Sequence, residues 1–378
     1  MADKHANYYL GLMSGTSVDS IDAALVDFND VKPRIVATYA YPMPGELRER
    51  ILSLFEPGAS EIDRMGSLDR TLGEHFADAA NTLLTNSDIP SSAVVAIGSH
   101  GQTIRHRPSA EGEITAPFTL QIGDPNIIAA RTGITTIADF RRRDMAEGGQ
   151  GAPLAPALHN ALFRADEFNR CIVNIGGMSN ITLLPSDPLS DPLGYDTGPG
   201  NCLMDAWIYR HRQQKYDLDG QWAHSGEVNK TLLDSLLAHP YFAAKPPKST
   251  GREEFNLAWL DKILSTFADE VRAENVQASL AELTARSIAE GILNALWPID
   301  EVYLCGGGAY NTELKVRLSN ALRGKTLNTT QALGVAPEWV EAVAFAWLAM
   351  RRMKELTGNL PAVTGARKMT RLGAIFPP

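Results

Sequence analysis

The 378 residues carry 35 Lys plus Arg against 44 Asp plus Glu, a formal net charge of −9, with 44% hydrophobic and 21% charged residues. That balance excludes global disorder and a nucleic-acid partner, because a basic stripe is missing and Arg141-Arg142-Arg143 is the one concentrated basic run. The length predicts two or three domains with ample core. Cys171, Cys202 and Cys305 lie far apart with no CxxC or Cys/His cluster, and read as buried reduced thiols. The N-terminal segment lacks the apolar stretch of a signal peptide, and no window approaches the roughly 18 apolar residues of a membrane span. A cytoplasmic chain with no membrane partner is expected.

Three β-rich runs open the chain, at Tyr8–Met13, Ser20–Phe28 and Pro33–Tyr41, and the short turns between them predict an antiparallel meander. Helical spacing follows over Gly45–Phe55 and from Ser60 to about Leu84, with Ser60 and Asp63 as an N-cap signal. Strands are expected at Ala93–Gly98, Phe118–Ile122 and Thr135–Asp139, with a short helix near Pro125 and another over Ala155–Phe163. The second half begins alike, with strands Arg170–Asn174 and Ile181–Leu184 around a small-residue turn, a weak repeat of the first hairpin. Pro185–Tyr195 reads as a loop, Asn201–His211 and about Leu280–Trp297 as helices, and Glu301–Cys305 as a strand. Helices at Thr312–Leu322 and Glu338–Leu356 close the chain. The order predicts two α/β lobes, 1–165 and 166–378, with a cleft between them and with the tail free to pack on the first lobe.

Several small-residue turns carry chemistry. Gly15-Thr16-Ser17, with Asp19 and Asp22 beyond, offers backbone N–H groups and hydroxyls to a phosphate, although hairpin turns of this composition also occur where nothing binds. Gly176-Gly177 before Met178-Ser179-Asn180 is its counterpart, and two such turns can clasp a polyphosphate. Neither a P-loop nor a G-x-G-x-x-G after a strand is present. Gly306-Gly307-Gly308, with Asn311 after it, suits the flat face of adenine and ribose, or simply starts a helix. Asp196, in a Gly/Pro-rich turn before a helix that Asn201 is expected to cap, suits a general base or a plain Asx turn. His100 and Gln102, in a loop after a strand end, suit a hydroxyl- or amide-bearing ligand. An Arg among 141–143 can fork onto a carboxylate or phosphate, or lie in a charged surface turn. Glu341 falls off the apolar stripe of its helix and reads as a solvated side chain.

Taken together, these motifs resemble the anhydro-N-acetylmuramic acid kinases. The resemblance rests on seven segments in family order: Gly11–Ser17, Ser99–Thr103, Ile137–Arg141, Gly148–Pro153, Val173–Asn180, Asp196–Asn201 and Cys305–Gly308. It implies a two-lobed actin-like ATPase (ribonuclease H-like) fold with a central nucleotide and substrate cleft. The activity implied is ATP- and magnesium-dependent phosphorylation of a small anhydro amino sugar with opening of its 1,6-anhydro ring, by a homodimer, in peptidoglycan recycling. By the same resemblance Asp196 is the base. ATP contacts fall to Gly15, Thr16, Ser17, Val18, Asp19, Ser20, Ile21, Asp22, Gly176, Gly177, Gly306, Gly307, Gly308 and Asn311. Sugar contacts fall to His100, Gln102, Arg141 and, from the second lobe, Glu341. No metal ligand is assigned. Ser20 stands where the family pattern has Gly; a positive φ there would cost about 1 kcal/mol. The rival readings are another sugar or carboxylate kinase of this fold, a non-catalytic ATP-binding relative, and a glycosidase, which would need paired carboxylates and no nucleotide turns.

Overall fold

A computed structural model describes residues 8–29, 33–110, 115–246 and 248–378. The chain divides into two units. One comprises residues up to Leu162 together with Trp339–Pro378, and the other Phe163–Glu338. Among the described residues, no helix is long and apolar enough to cross a membrane.

In the first unit, β1 (Tyr8–Ser14), β2 (Ser20–Asp27) and β3 (Arg34–Pro42) form the antiparallel meander. Then come β4 (Val94–Arg107), β5 (Phe118–Ile122) and β6 (Thr136–Ala138). β4 runs parallel to both β1 and β6, β5 turns back on β4, and the C-terminal strand Ala374–Phe376 pairs antiparallel with β6. The sheet order is therefore 3-2-1-4-6 with the C-terminal strand outermost. Leu10, Leu12, Ile21 and Leu25 meet Leu68, Leu72 and Phe76 of the helix Glu61–Asn86 in one core. That helix repeats its apolar residues every three or four positions, which is why it buries one stripe. Its Ser60 sits at φ 50 and makes no side-chain cap bond, so the expected N-cap is absent.

The second unit repeats the plan. β7 (Arg170–Ile175), β8 (Met178–Leu184) and β9 (Leu193–Pro199) form the meander, and β10 (Glu301–Cys305) and β11 (Thr326–Thr329) extend it in parallel beyond β7. The order 9-8-7-10-11 matches 3-2-1-4-6. The helix Ala273–Leu293 lays Leu280, Leu283 and Ile288 against Val173, Ile181 and Leu304, burying them at 1% exposure or less.

Three local expectations are corrected. Ser99–Thr103 was expected in a loop, yet β4 continues through it to Arg107. Asp196 was expected in a turn; it lies within β9, opposite Asn180 of β8. Residues 140–146, where a surface turn was weighed, form a helix.

Candidate active site

In the first unit the β1–β2 turn is held from inside. Ser14 donates its hydroxyl proton to Gln102 Oε1 at 2.7 Å, and Gln102 Nε2 donates to the carbonyls of Gly15 at 3.3 Å and Thr103 at 3.1 Å. Gln102 is fully buried, and both ends of its amide are engaged in this bracing. The turn closes through Val18 N–H to Gly15 O at 3.2 Å and leaves Thr16 and Ser17 exposed at its tip. Arg48 donates to Ser17 O at 3.0 Å and approaches Asp19 at 3.4 Å. Ser20 begins β2 and is not among the positive-φ residues, so it carries no such strain; its hydroxyl donates to Asp22 Oδ1 at 2.7 Å. The strained residue is Val18, at φ 55, a conformation that costs a β-branched side chain of order 1 kcal/mol or more. Full burial of the Val18 and Ile21 side chains pins the turn, so those two present backbone rather than side chain outward.

Beside this turn stands a polar cluster. Arg141, at the start of the helix Phe140–Ala146, directs Nε and Nη2 to His100 Nε2 at 3.1 and 2.9 Å, and Nη1 to Gly151 O at 2.8 Å. His100 Nε2 thus accepts, and its ring is neutral. Burial, then the Arg141 cation, holds its pKa well below the ordinary value. Burial lowers the Arg141 pKa to about 10, opposed by the carboxylates of Glu341 and Asp144, so the guanidinium stays charged at neutral pH. Arg142 pairs with Asp139 at 2.7 Å and Arg143 with Glu147 at 3.5 Å, so Arg141 alone of the three enters the cluster. Glu341 belongs to this first unit, not to the second as expected; it is half-buried on the helix Val340–Met353 rather than solvated. Phe345 of that helix packs against His100 with ring centroids 4.7 Å apart and planes tilted by 42°.

The loop carrying Gly151 is anchored by Asp144, which is fully buried. Its carboxylate accepts from Gly151 N–H at 2.9 Å, Asn359 Nδ2 at 2.8 Å and Thr364 Oγ1 at 2.8 Å. A Cβ on Gly149 would come within 2.3 Å of Asp144 Oδ2, so that position admits no side chain.

In the second unit the β7–β8 turn is stitched to the start of the helix Cys202–Arg212. Gly200 N–H donates to Gly177 O at 2.9 Å and Asn201 N–H to Gly176 O at 2.8 Å. A Cβ on Gly200 would lie 2.4 Å from Gly176 O, so the close approach requires glycine. Asn201 does not cap the helix; its Nδ2 reaches back to Ile175 O at 3.3 Å. Gly306, at φ 78, and Gly308 pack on the end of β7, while Gly307 is exposed with open space at its Cβ. Asn311 caps the helix Thr312–Ala321 by accepting from Leu314 N–H at 3.0 Å.

Asp196 is half-buried, and burial lifts its carboxyl to about 6, with Glu253 adding to the rise and the Thr250 N–H, 3.1 Å from Oδ2, opposing it. Its N–H donates to Lys248 O at 3.2 Å, and its carbonyl accepts from Tyr241 Oη at 2.6 Å. Glu253, Thr250, Lys248 and Tyr241 were all missed in the sequence. The Lys-Ser-Thr-Gly run at 248–251 is hydroxyl-rich like Gly15–Ser17, and that likeness was the available signal.

Among the described residues, no three or more His, Cys, Asp or Glu side chains converge as a metal site. A magnesium ion carried on phosphates needs one or two protein carboxylates, which Asp19 and Asp22 beside the first turn are suited to provide.

Two α/β units with one shared strand order, each with a glycine-bearing hairpin between its first two strands, define the duplicated ribonuclease H-like architecture of the actin-like ATPases. The family model for anhydro-N-acetylmuramic acid kinase matches residues 7–378. The chain is 52% identical over 370 residues to the anhydro-N-acetylmuramic acid kinase of Saccharophagus degradans, covering 98% of this chain and 99% of that one. It is 53% identical over 371 residues to the protein of the same name from Shewanella loihica, with the same coverage. Among solved structures it resembles the activator of the 2-hydroxyisocaproyl-CoA dehydratase from Clostridium difficile with bound ADPNP. That match has a TM-score of 0.45 and 12% identity over 92% of this chain and 96% of that one. The chain belongs to the anhydro-N-acetylmuramic acid kinase family, and it is a kinase.

Proposed function

We propose that the protein uses ATP to phosphorylate 1,6-anhydro-N-acetylmuramic acid while water opens the anhydro ring. The products are N-acetylmuramic acid 6-phosphate and ADP, and the setting is cytoplasmic peptidoglycan recycling by a homodimer. Family membership supports the substrate, and Asp196 carries the mechanism. A carboxyl lifted to about 6 is ionised at neutral pH and remains basic enough to accept a proton. Asp196 takes the proton of a water whose oxygen attacks the anomeric carbon. The bond from that carbon to O6 breaks, its electron pair goes to O6, and O6 attacks the γ-phosphorus as the bond to ADP breaks. No separate acid is needed, because the leaving oxygen is phosphorylated rather than protonated.

The hairpins Gly15–Asp22 and Gly176-Gly177 each offer phosphate contacts, acting by position and by N–H dipoles. When bound on the phosphates, magnesium supplies charge neutralisation. Gly307 offers an open surface for adenosine, whereas Asn311, committed as a helix cap, shapes that turn from behind. Arg141, fixed by His100 and Gly151, is the partner for the lactyl carboxylate; Glu341 beside it faces the sugar. Gln102 acts as a brace for the first hairpin rather than as a sugar contact.

Incubation with magnesium-ATP and the anhydro sugar is expected to yield ADP and sugar phosphate in equal amounts. Asp196→Asn should retain its fold and lose about a thousandfold or more in kcat. Near-parental turnover by that variant would remove Asp196 from the mechanism.

A further inference from the structure

Among the described residues, 244–246 and 248–250 lie outside any helix or strand, yet Lys248 and Thr250 supply two of the groups that hold Asp196. Besides the Asp196 N–H bond to Lys248 O, side-chain contacts hold this segment, among them Lys248 Nζ donating to the carbonyls of Tyr241 at 3.1 Å and Phe242 at 3.3 Å. The anchor nearest the carboxylate is Thr250, whose hydroxyl donates to Glu254 Oε2. Glu254 sits on a closed turn, because its own N–H and that of Phe255 both donate to Gly251 O, at 3.2 and 3.1 Å. Phe255 is 1% exposed and packs against the rings of His239, Tyr241, Phe242 and Trp259, with centroids 5.0 to 5.7 Å away. Glu254 is joined to this buried aromatic cluster through its peptide bond to Phe255, and Thr250 is hydrogen-bonded to Glu254.

We infer that Thr250 and Glu254 are positioning residues for the reaction: Glu254 holds the Thr250 hydroxyl so that the Thr250 N–H engages one oxygen of Asp196 and leaves the other to take the proton. The inference rests on the reading of Asp196 as the base. A single N–H bond to Oδ2 orients the carboxylate and favours its charged form, whereas a carboxylate free to rotate would present either oxygen at the wrong angle. The titratable groups facing this site are Glu253, Glu254 and Lys248, with Glu290 acting on Lys248 and His239 Nδ1 3.8 Å from Glu254 Oε1; the phenol of Tyr195 lies on β9 beside Asp196 and that of Tyr241 on the helix Pro240–Ala243. None of these substitutes for the Thr250 donor: carboxylates repel Asp196, the Tyr241 hydroxyl is spent on the Asp196 carbonyl, the Tyr195 hydroxyl on Gly291 O, and Lys248 Nζ on the carbonyls of Tyr241 and Phe242.

The test is kcat against pH for the full-length enzyme, its Thr250→Val and Thr250→Ser variants, and Glu254→Leu alone and combined with Thr250→Val. Thr250→Val should move the acid limb of kcat up by about one pH unit and lower kcat at pH 6 about fivefold, with KM for ATP unchanged. Thr250→Ser, which keeps the hydroxyl, should restore both. Glu254→Leu should lower kcat in the parent and add nothing in the Thr250→Val background, because it acts through that hydroxyl. An acid limb at the parental pH in Thr250→Val, a serine variant no better than valine, or additive losses would each overturn the inference. Asp196→Asn separates the two levels. If it is inactive while the Thr250→Val limb stays put, the positioning role fails alone; if it turns over normally, the assignment of the base fails first.

Discussion

Asp196 sits where ionisation is costly, and that cost is the reason it can serve as a base. Its folded-state pKa of about 6 lies above the ordinary carboxyl value of 3.8, so the unfolded chain ionises first as pH rises. Folding stability therefore falls between about pH 4 and 6, and the full cost persists above that window. With a discount for partial solvent contact, Asp196→Asn should stabilise the fold at pH 8 by on the order of 1 kcal/mol, with no gain at pH 4. Urea midpoints at the two pH values measure it, and equal midpoints at pH 8 would place Asp196 in water. Arg141 gives a second prediction. Three of its N–H groups are fixed by His100 and Gly151 in the fork geometry of a guanidinium. Arg141→Lys keeps the charge and loses the fork, and should raise KM for the sugar about tenfold with KM for ATP unchanged; a parental sugar KM would remove Arg141 from recognition. The motifs made Asp196, His100 and Arg141 legible as polar groups in turn-like surroundings. The partnerships of Gln102 and Asn201 were not legible, because Ser14 lies 88 residues from Gln102 and Ile175 lies 26 from Asn201.

Glycines set how closely the helix Val340–Met353 approaches the first sheet. A Cβ at Gly98 of β4 would lie 2.0 Å from Phe345 O, and one at Gly11 of β1 would lie 1.8 Å from Ala342 O. The helix backbone thus rests directly on two strands, which brings Phe345 and Glu341 to His100 and Arg141. Gly98→Ala should cost about 3 kcal/mol or more, because backbone rather than a flexible side chain blocks the methyl group; a urea midpoint within experimental error of the parent would contradict this packing. Most strands were legible to within a residue or two from β-rich runs and turn residues. β4 was cut short at Gly98 because Ser-His-Gly-Gln-Thr has the composition of a turn. Its polar side chains are in fact paired within the fold, Gln102 with Ser14 and His100 with Arg141, which lets the strand run on through a Gly101 at φ 71.

Across the whole molecule, one strand order occurs twice, and the chain returns to its first unit after completing the second. The β-hairpin repeat hinted at that duplication from sequence, but pairing order is a long-range property that local periodicity does not encode. The return has a direct consequence. Removal of 339–378 takes away the helix against β1 and β4 and the strand beside β6, so amides of residues 8–14 and 94–107 should lose hydrogen-exchange protection while β7, β8 and β10 keep theirs. Retained protection in β1 would show that the first unit stands without its C-terminal part. The central claim, water attack at the anomeric carbon with direct transfer to O6, is tested most directly by turnover of 1,6-anhydro-N-acetylmuramic acid with magnesium-ATP in ¹⁸O-labelled water, read by mass spectrometry. The account predicts one ¹⁸O in the sugar phosphate, on the anomeric carbon, and none in the phosphoryl group. Sugar phosphate without the label, or label in the phosphoryl group, would contradict it.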